Sequence, residues 1–570
     1  MAHRDIPGLC LQVPVERFEQ RYRLLVGWVQ PAALDLRDEG LADPRQAGQL
    51  GLAQSRPLAP STKIGEGREF VGRRHNPRYN KSYRNFSGSS HYPPSPVGAL
   101  APAVAGVMKM TTIPRSPPGA RAPVRWPEPW SPALPAAPLV ECAGCDDGPS
   151  WAASLRCEEC GASYPLGHGT ACERCLGPLV VEYRAPEEPI DLGALWGRRP
   201  PTLFRFAELL PPAGRPDRDR LDFPASPLRR ARRLGDELGV SELWIKDDTL
   251  LSSGSFKDRP AAVAVARARA ERLRWVGCAS TGNLAAATAR AAARVGLGSV
   301  VVVPAGLPSS KLLLVRHLGS QIVEVEGSYD DANRIAQRAE EEFGGGFLNI
   351  GLRPYYAEGS KTLYFETWTE LGHSNPDAVL VPLGSGALLS ATERAIQQLG
   401  DAMTQRGSAR PRLIGSQPEG CSPIVDAFER GEDRIRPVEA GNSIAESLAI
   451  GNPASGRSAV RAIRGSGGVA DRPRRSEVIR GVRDLARYEG VWSEPAGGSV
   501  VATLRRLRAN GAIRRSDRVV LFITGAGWKT TTAIRPRRST SARVRVDPRR
   551  PDLSFFAALS PQPPAEVAGW

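Results

Sequence analysis

Between residues 243 and 523, short apolar runs alternate with longer stretches whose apolar positions recur at helical spacing. The runs at 243–245, 275–278, 299–303, 321–325, 378–382, 412–416 and 518–523 predict strands. The stretches at 261–270, 284–295, 309–318, 329–343 and 387–399 predict helices. Several of the strand runs are apolar without alternation, as expected of strands covered on both faces. Strands and helices in turn, joined by short connections, predict an α/β fold with a mainly parallel sheet. Right-handed crossovers then gather the strand C-terminal ends along one edge, where ligands bind.

The flanks read differently. Residues 1–140 hold 20 prolines and no sustained periodicity after a short apolar stretch at 24–29. Such a composition buries too little apolar surface to offset ordering entropy, so this segment is expected to be disordered. The Arg- and Pro-rich residues 529–570 are expected to be a disordered tail. Both segments also read as extensions outside the native protein, with Met108 or Met110 as the start and a shifted reading after Lys529. The chain carries a net charge of +16, of which residues 1–140 supply +8 and residues 529–570 supply +5. Only +3 remains for the folded middle, which argues against a specific nucleic-acid face. No run of about 18 apolar residues predicts a membrane span, and the N-terminus lacks a signal-peptide pattern, so a cytoplasmic protein is expected.

Four loops at predicted strand ends carry candidate chemistry. The first is Ser253-Gly254-Ser255-Phe256-Lys257-Asp258-Arg259, which opens an alanine-rich helix. A desolvated ammonium gives up its proton more readily and then attacks aldehydes, although an isolated Ser-x-Lys is most often a solvated first turn. The second, Ser280-Thr281-Gly282-Asn283, sets donors at a helix N-terminus, where anions bind. Alone, it reads more often as an ordinary helix cap. In the third, Gly384-Ser385-Gly386-Ala387-Leu388, backbone amides can converge on a phosphate. The fourth is Thr524-Gly525-Ala526-Gly527, whose Thr524 hydroxyl can meet a heteroaromatic nitrogen.

Taken in order, these loops resemble those of threonine synthase, which uses pyridoxal 5'-phosphate on the two-domain fold of tryptophan synthase β. The segments Tyr356-Ala357-Glu358-Gly359-Ser360-Lys361-Thr362, Ala449-Ile450-Gly451-Asn452-Pro453-Ala454 and Glu494-Pro495-Ala496-Gly497-Gly498 share in the resemblance. It spans about residues 155–528, with the catalytic core at 200–528. The resemblance implies that Lys257 bonds the cofactor's aldehyde and that Asn283 meets its ring hydroxyl. Gly384, Ser385, Gly386, Ala387 and Leu388 would line the phosphate cup, and Thr524 would face the pyridine nitrogen. Ser280 and Thr281 would take the substrate carboxylate, and Arg353 and Lys361 its phosphate. The reaction implied is conversion of O-phosphohomoserine and water to threonine and phosphate by a homodimeric enzyme. Leu251-Ser252-Ser253 and Pro260 depart from the family pattern. These departures keep a threonine or serine dehydratase and a cysteate synthase open as alternatives.

Six of the nine cysteines form three Cys-x-x-Cys pairs. Cys157 and Cys160, then Cys172 and Cys175, have nearly zinc-ribbon spacing and predict a closed four-thiolate structural zinc in a module at 141–185. Reduced thiols are the alternative. Cys142 and Cys145 are surplus to one tetrahedral metal. A zinc-ribbon nucleic-acid-binding protein is the competing function, but the ribbon sets Glu158, Glu159 and Glu173 against Arg174 alone.

Overall fold

The computed structural model describes residues 150–530, apart from 168, 170, 185–189, 308 and 403–408. The expectations for residues 1–140 and 531–570, and for Cys142 and Cys145, lie outside the described residues.

A three-stranded antiparallel sheet comes first, formed by β1 (Ala152–Cys157), β2 (Ser163–Tyr164) and β3 (Leu179–Tyr183) in the order β2-β1-β3. Then follow β4 (Leu228–Arg230), β5 (Glu242–Asp247), α1 (Asp258–Ala270), β6 (Trp275–Ala279), α2 (Asn283–Val295) and β7 (Gly298–Pro304). The chain continues through α3 (Ser309–His317), β8 (Gln321–Val325), α4 (Tyr329–Phe343), β9 (Gly346–Phe347) and α5 (Arg353–Glu370). Next come β10 (Ala378–Pro382), α6 (Ala387–Ala402), β11 (Arg412–Ser416), α7 (Gly456–Gly465) and β12 (Ala470–Asp471). Last are α8 (Arg475–Glu489), α9 (Pro495–Ala509) and β13 (Arg518–Ile523).

Two further sheets organise the strands from β4 to β13. Six strands run in the order β12-β11-β10-β13-β5-β4, and four in the order β8-β7-β6-β9. Every pair in them is parallel except β4 with β5. β10 and β13 are buried along almost their whole length, which is why their sequences are continuous apolar runs. Separate apolar clusters lie against the sheets. Val519, Leu521 and Ile523 pack with Val500 and Leu504, whereas Ala279, Val302 and Phe347 pack with Ala332 and Ala336.

The two sheets divide the four candidate loops. Those after β5, β10 and β13 belong to the larger sheet and that after β6 to the smaller. Among the described residues, no helix is long and apolar enough to cross a membrane.

Candidate active site

Lys257 stands at the N-cap of α1, following the loop that leaves β5. Its ammonium donates to the Tyr356 hydroxyl on α5 and lies 4.5 Å from the centre of the Phe256 ring. The loop is pinned on both sides. The Phe256 N–H donates to the Thr524 carbonyl at 3.0 Å, and Ser255 bridges Gly525. Thr524, at the end of β13, is therefore brought directly against the lysine loop.

Arg259, two residues beyond the lysine, is fully buried and serves the scaffold. Its guanidinium donates to both carboxylate oxygens of Asp248 and both of Glu366, at 2.6–2.8 Å. Every donor is directed at a fixed acceptor, so the start of α1 is locked to the end of β5 and to α5. Pro260 falls in the first turn of α1, where a missing N–H breaks no helical bond. That departure from the family pattern costs the helix nothing.

Asn283 begins α2, whose N-cap Gly282 offers no side-chain cap, so the first-turn N–H groups stay available to a ligand. Ser280 and Thr281 lie just ahead, with the Gly282 N–H donating to the Ser280 hydroxyl at 3.3 Å. The Asn283 amide nitrogen donates to the two carboxylate oxygens of Glu494 at 3.3 and 3.2 Å. Its carbonyl oxygen accepts from Lys529 at 2.8 Å. Glu494 is 2% exposed; burial raises its pKa, while Asn283, Lys529, Ser447 and Lys257 favour the charged form. Glu494 belongs to a segment that the sequence flags, but nothing local marks its carboxylate as part of the site. Lys529 also corrects the expected boundary of the tail. It is packed into the site because the chain turns back after β13 along a short 3-10 helix at Gly527–Thr530.

The third loop has the shape of an anion cradle. Gly384, Ser385 and Gly386 lie between β10 and α6, and the helix starts at Ala387 and Leu388. Gly386 takes φ +83°, and a Cβ there would stand 2.7 Å from the Ser455 carbonyl oxygen. Only glycine suits that position, and the turn it makes directs the α6 N-terminus at the loop's concave side. Ser455 donates its N–H to the Ser385 carbonyl at 2.9 Å and accepts from Arg353 Nη2 at 3.1 Å. Arg353 therefore adjoins the cradle; burial lowers its pKa, while Glu158 favours its charged form.

Lys361 does not join the site, contrary to expectation. It is fully buried, pairs with Glu358, and donates to the Leu209 carbonyl and to Gln398 at 2.8 Å each. Burial lowers its pKa to about 8 against the pull of Glu358. On α5 the position of Lys361 faces β3 and α6, whereas Tyr356, five residues earlier, faces Lys257.

The donor set suits a phosphorylated heteroaromatic aldehyde. It combines an amine, an uncapped helix start behind a glycine turn, an amide and a hydroxyl, supplied by loops from both sheets. A separate cluster has metal-ligand geometry. The sulfurs of Cys157, Cys160, Cys172 and Cys175 all lie within 4.8 Å of one another, and these cysteines are not in disulfides. Two knuckles of a tetrahedral thiolate zinc site place their sulfurs in this way. Cys172 Sγ also stands 3.0 Å from the Tyr164 hydroxyl.

A family profile described as pyridoxal-phosphate dependent enzyme matches residues 221–525. The chain is 34% identical over 375 residues to a threonine synthase of Methanosarcina acetivorans, covering 65% of this chain and 91% of that protein. It is also 34% identical over 382 residues to a threonine synthase of Methanocaldococcus jannaschii, covering 66% of this chain and 93% of that protein. A solved threonine deaminase isoform 2 from Solanum lycopersicum aligns with a TM-score of 0.46 at 22% identity, over 54% of this chain and 83% of that one.

Proposed function

The chain belongs to the pyridoxal-phosphate-dependent enzymes and, within them, to the threonine synthase family, and from that premise we propose that it converts O-phosphohomoserine and water to threonine and phosphate. One observation carries the reading. Four strand-end loops, carrying Lys257, Asn283, Gly384–Leu388 and Thr524, follow one another in the order of the family motifs, and the Phe256 N–H ties the lysine loop to Thr524.

Pyridoxal phosphate, when bound, supplies an aldehyde that bonds amines and a ring that withdraws electrons from the attached carbon. The protein supplies placement and proton transfer. The α6 N-terminus and its glycine turn would hold the cofactor's phosphate, Asn283 would donate to its ring hydroxyl, and Thr524 would meet its ring nitrogen without giving it a full proton. Ser280 and Thr281 at the start of α2 bind the substrate carboxylate, and Arg353 takes the substrate phosphate. Lys257 Nζ would hold the cofactor's aldehyde and would move protons at the substrate's Cα and Cβ. Tyr356, whose hydroxyl accepts from that nitrogen, would hold the amine in place. The four cysteines bind a structural zinc, because four thiolates leave no position open for catalysis.

Purified protein is expected to release phosphate from O-phosphohomoserine and to show the visible absorbance of lysine-bound cofactor. Lys257→Ala is expected to lose both. Deamination of threonine or serine with no phosphate release would move the protein to the dehydratases.

A further inference from the structure

We infer that Lys529 and Glu494 act together as positioning residues for Asn283, fixing which end of its side-chain amide faces the cofactor's ring hydroxyl; this deepens the cofactor reading above and rests on it. The two ends of an asparagine amide are nearly the same shape, so packing alone does not choose between them. Partners choose. An ammonium can only donate and an ionised carboxylate can only accept. Lys529 Nζ stands 2.8 Å from Asn283 Oδ1, and the Glu494 carboxylate accepts from Asn283 Nδ2. Flipping the amide would set its NH2 against the ammonium and its oxygen against the carboxylate. One N–H of Nδ2 satisfies Glu494, and the second remains to donate to a ring oxygen.

Both partners are themselves held in place. Glu494 is buried at the start of α9 and accepts from the Ser447 hydroxyl at 3.1 Å. Lys529 reaches Ser255 Oγ at 3.4 Å, in the loop that carries Lys257. Gly254 of that loop has φ +70°, and a Cβ there would fall 2.7 Å from the Trp528 ring and 3.2 Å from Lys529 Cε. The segment after β13 is therefore seated on the lysine loop, and glycine makes room for it. Burial lowers the Lys529 pKa to about 8, with Glu494 and Asp258 favouring the charged form. Lys529 thus sits at a functional spot even though its neighbours in sequence look like the start of a tail.

The test uses the full chain titrated with pyridoxal 5'-phosphate and followed by absorbance and protein fluorescence. Lys529→Met is expected to bind the cofactor about ten-fold more weakly, the effect of losing one charge-assisted hydrogen bond. It is also expected to shift the absorption maximum of the bound cofactor. The cofactor-free variant should melt within about 2 °C of the parent, as a half-buried residue near the chain surface allows. Lys529→Arg keeps a donor toward Asn283 and is expected to recover most of the affinity. Parental affinity and spectrum in Lys529→Met would overturn the inference. So would a loss that arginine leaves unrepaired and that matches a fall in cofactor-free melting temperature. If the parent itself shows no visible band that Lys257→Ala removes, the cofactor reading fails instead, and the two failures are told apart by that control.

Discussion

Lys361 and Arg353 lie on one helix, both candidates for the substrate phosphate, and their surroundings assign them opposite tasks. Arg353 opens α5 beside the cradle, with a hydroxyl as its nearest partner. Lys361 is closed into an ion pair with Glu358, above the Tyr183 ring at 4.1 Å. Arg353→Gln should therefore raise KM for O-phosphohomoserine about ten-fold or more, a charge-assisted contact being worth about 1.5–3 kcal/mol. Lys361→Met should leave KM nearly unchanged and lower the melting temperature, because it strands a buried carboxylate at a cost of about 3 kcal/mol or more. Steady-state kinetics and thermal melts on the two variants check the contrast. The sequence offered no means of separating them, since each is a basic residue in or near a family motif. Glu494 and Lys529 were harder still to read. They meet Asn283 from 211 and 246 residues away, and only the folded chain reports such contacts.

The elements were legible where their residues form a continuous apolar run or an apolar stripe at helical spacing. The spans 321–325, 378–382, 412–416, 518–523 and 329–343 coincide with β8, β10, β11, β13 and α4. Helix α5 carries Arg353 and Tyr356 yet leaves no periodic trace, because it is buried nearly all round and polar residues such as Glu358, Thr362 and Glu366 sit inside. The cysteine module shows a coupling between elements that spacing alone does not encode. Glu159, inside the first Cys-x-x-Cys, pairs with Arg457 of α7 at 2.6 Å, and Glu158 accepts from Ser458 at 3.3 Å. Ser455, just ahead of α7, is the residue that joins Arg353 to the Gly384–Leu388 loop. The half-exposed Arg457 pair is worth at most about 1 kcal/mol, so Arg457→Ala should barely change stability. Loss of the proposed zinc would be a larger change, since it would free both knuckles at once. Cys172→Ser, or treatment with a strong chelator, should release zinc, lower the melting temperature and raise KM for the phosphorylated substrate. Metal analysis by mass spectrometry alongside kinetics tests this. An unchanged KM in zinc-free protein would show that the knuckle does not support the cradle.

At the scale of the whole molecule, the resemblance implied two domains with mainly parallel sheets, but which strand joins which sheet was not legible, because parallel strands buried on both faces look alike whichever sheet they join. What ties the larger sheet to the helices near the site is a buried charge network. Lys246 on β5 donates to Glu366 and Glu370 of α5 at 2.8 Å each, and Arg259 of α1 grips Glu366 and Asp248. Lys246, Arg259 and Glu366 are each 0% exposed. Burial pushes the Glu366 pKa up, but Arg259 and Lys246 outweigh it and hold the carboxyl at about 2, against an ordinary 4.5. A carboxylate whose folded pKa lies below its unfolded value stabilises the protein above the unfolded value, and that stability is lost as the pH falls toward the folded value. Glu366 should therefore contribute about 3 kcal/mol at neutral pH that disappears between about pH 5 and pH 2. Glu366→Gln should be less stable than the parent at pH 7, since it leaves Arg259 and Lys246 short of a counter-charge. It should also lose less stability than the parent on acidification from pH 5 to pH 3. Denaturant melts of both proteins across that range decide the matter. Parallel acid slopes in the two would mean that other carboxylates, and not this network, set the acid limit of the fold.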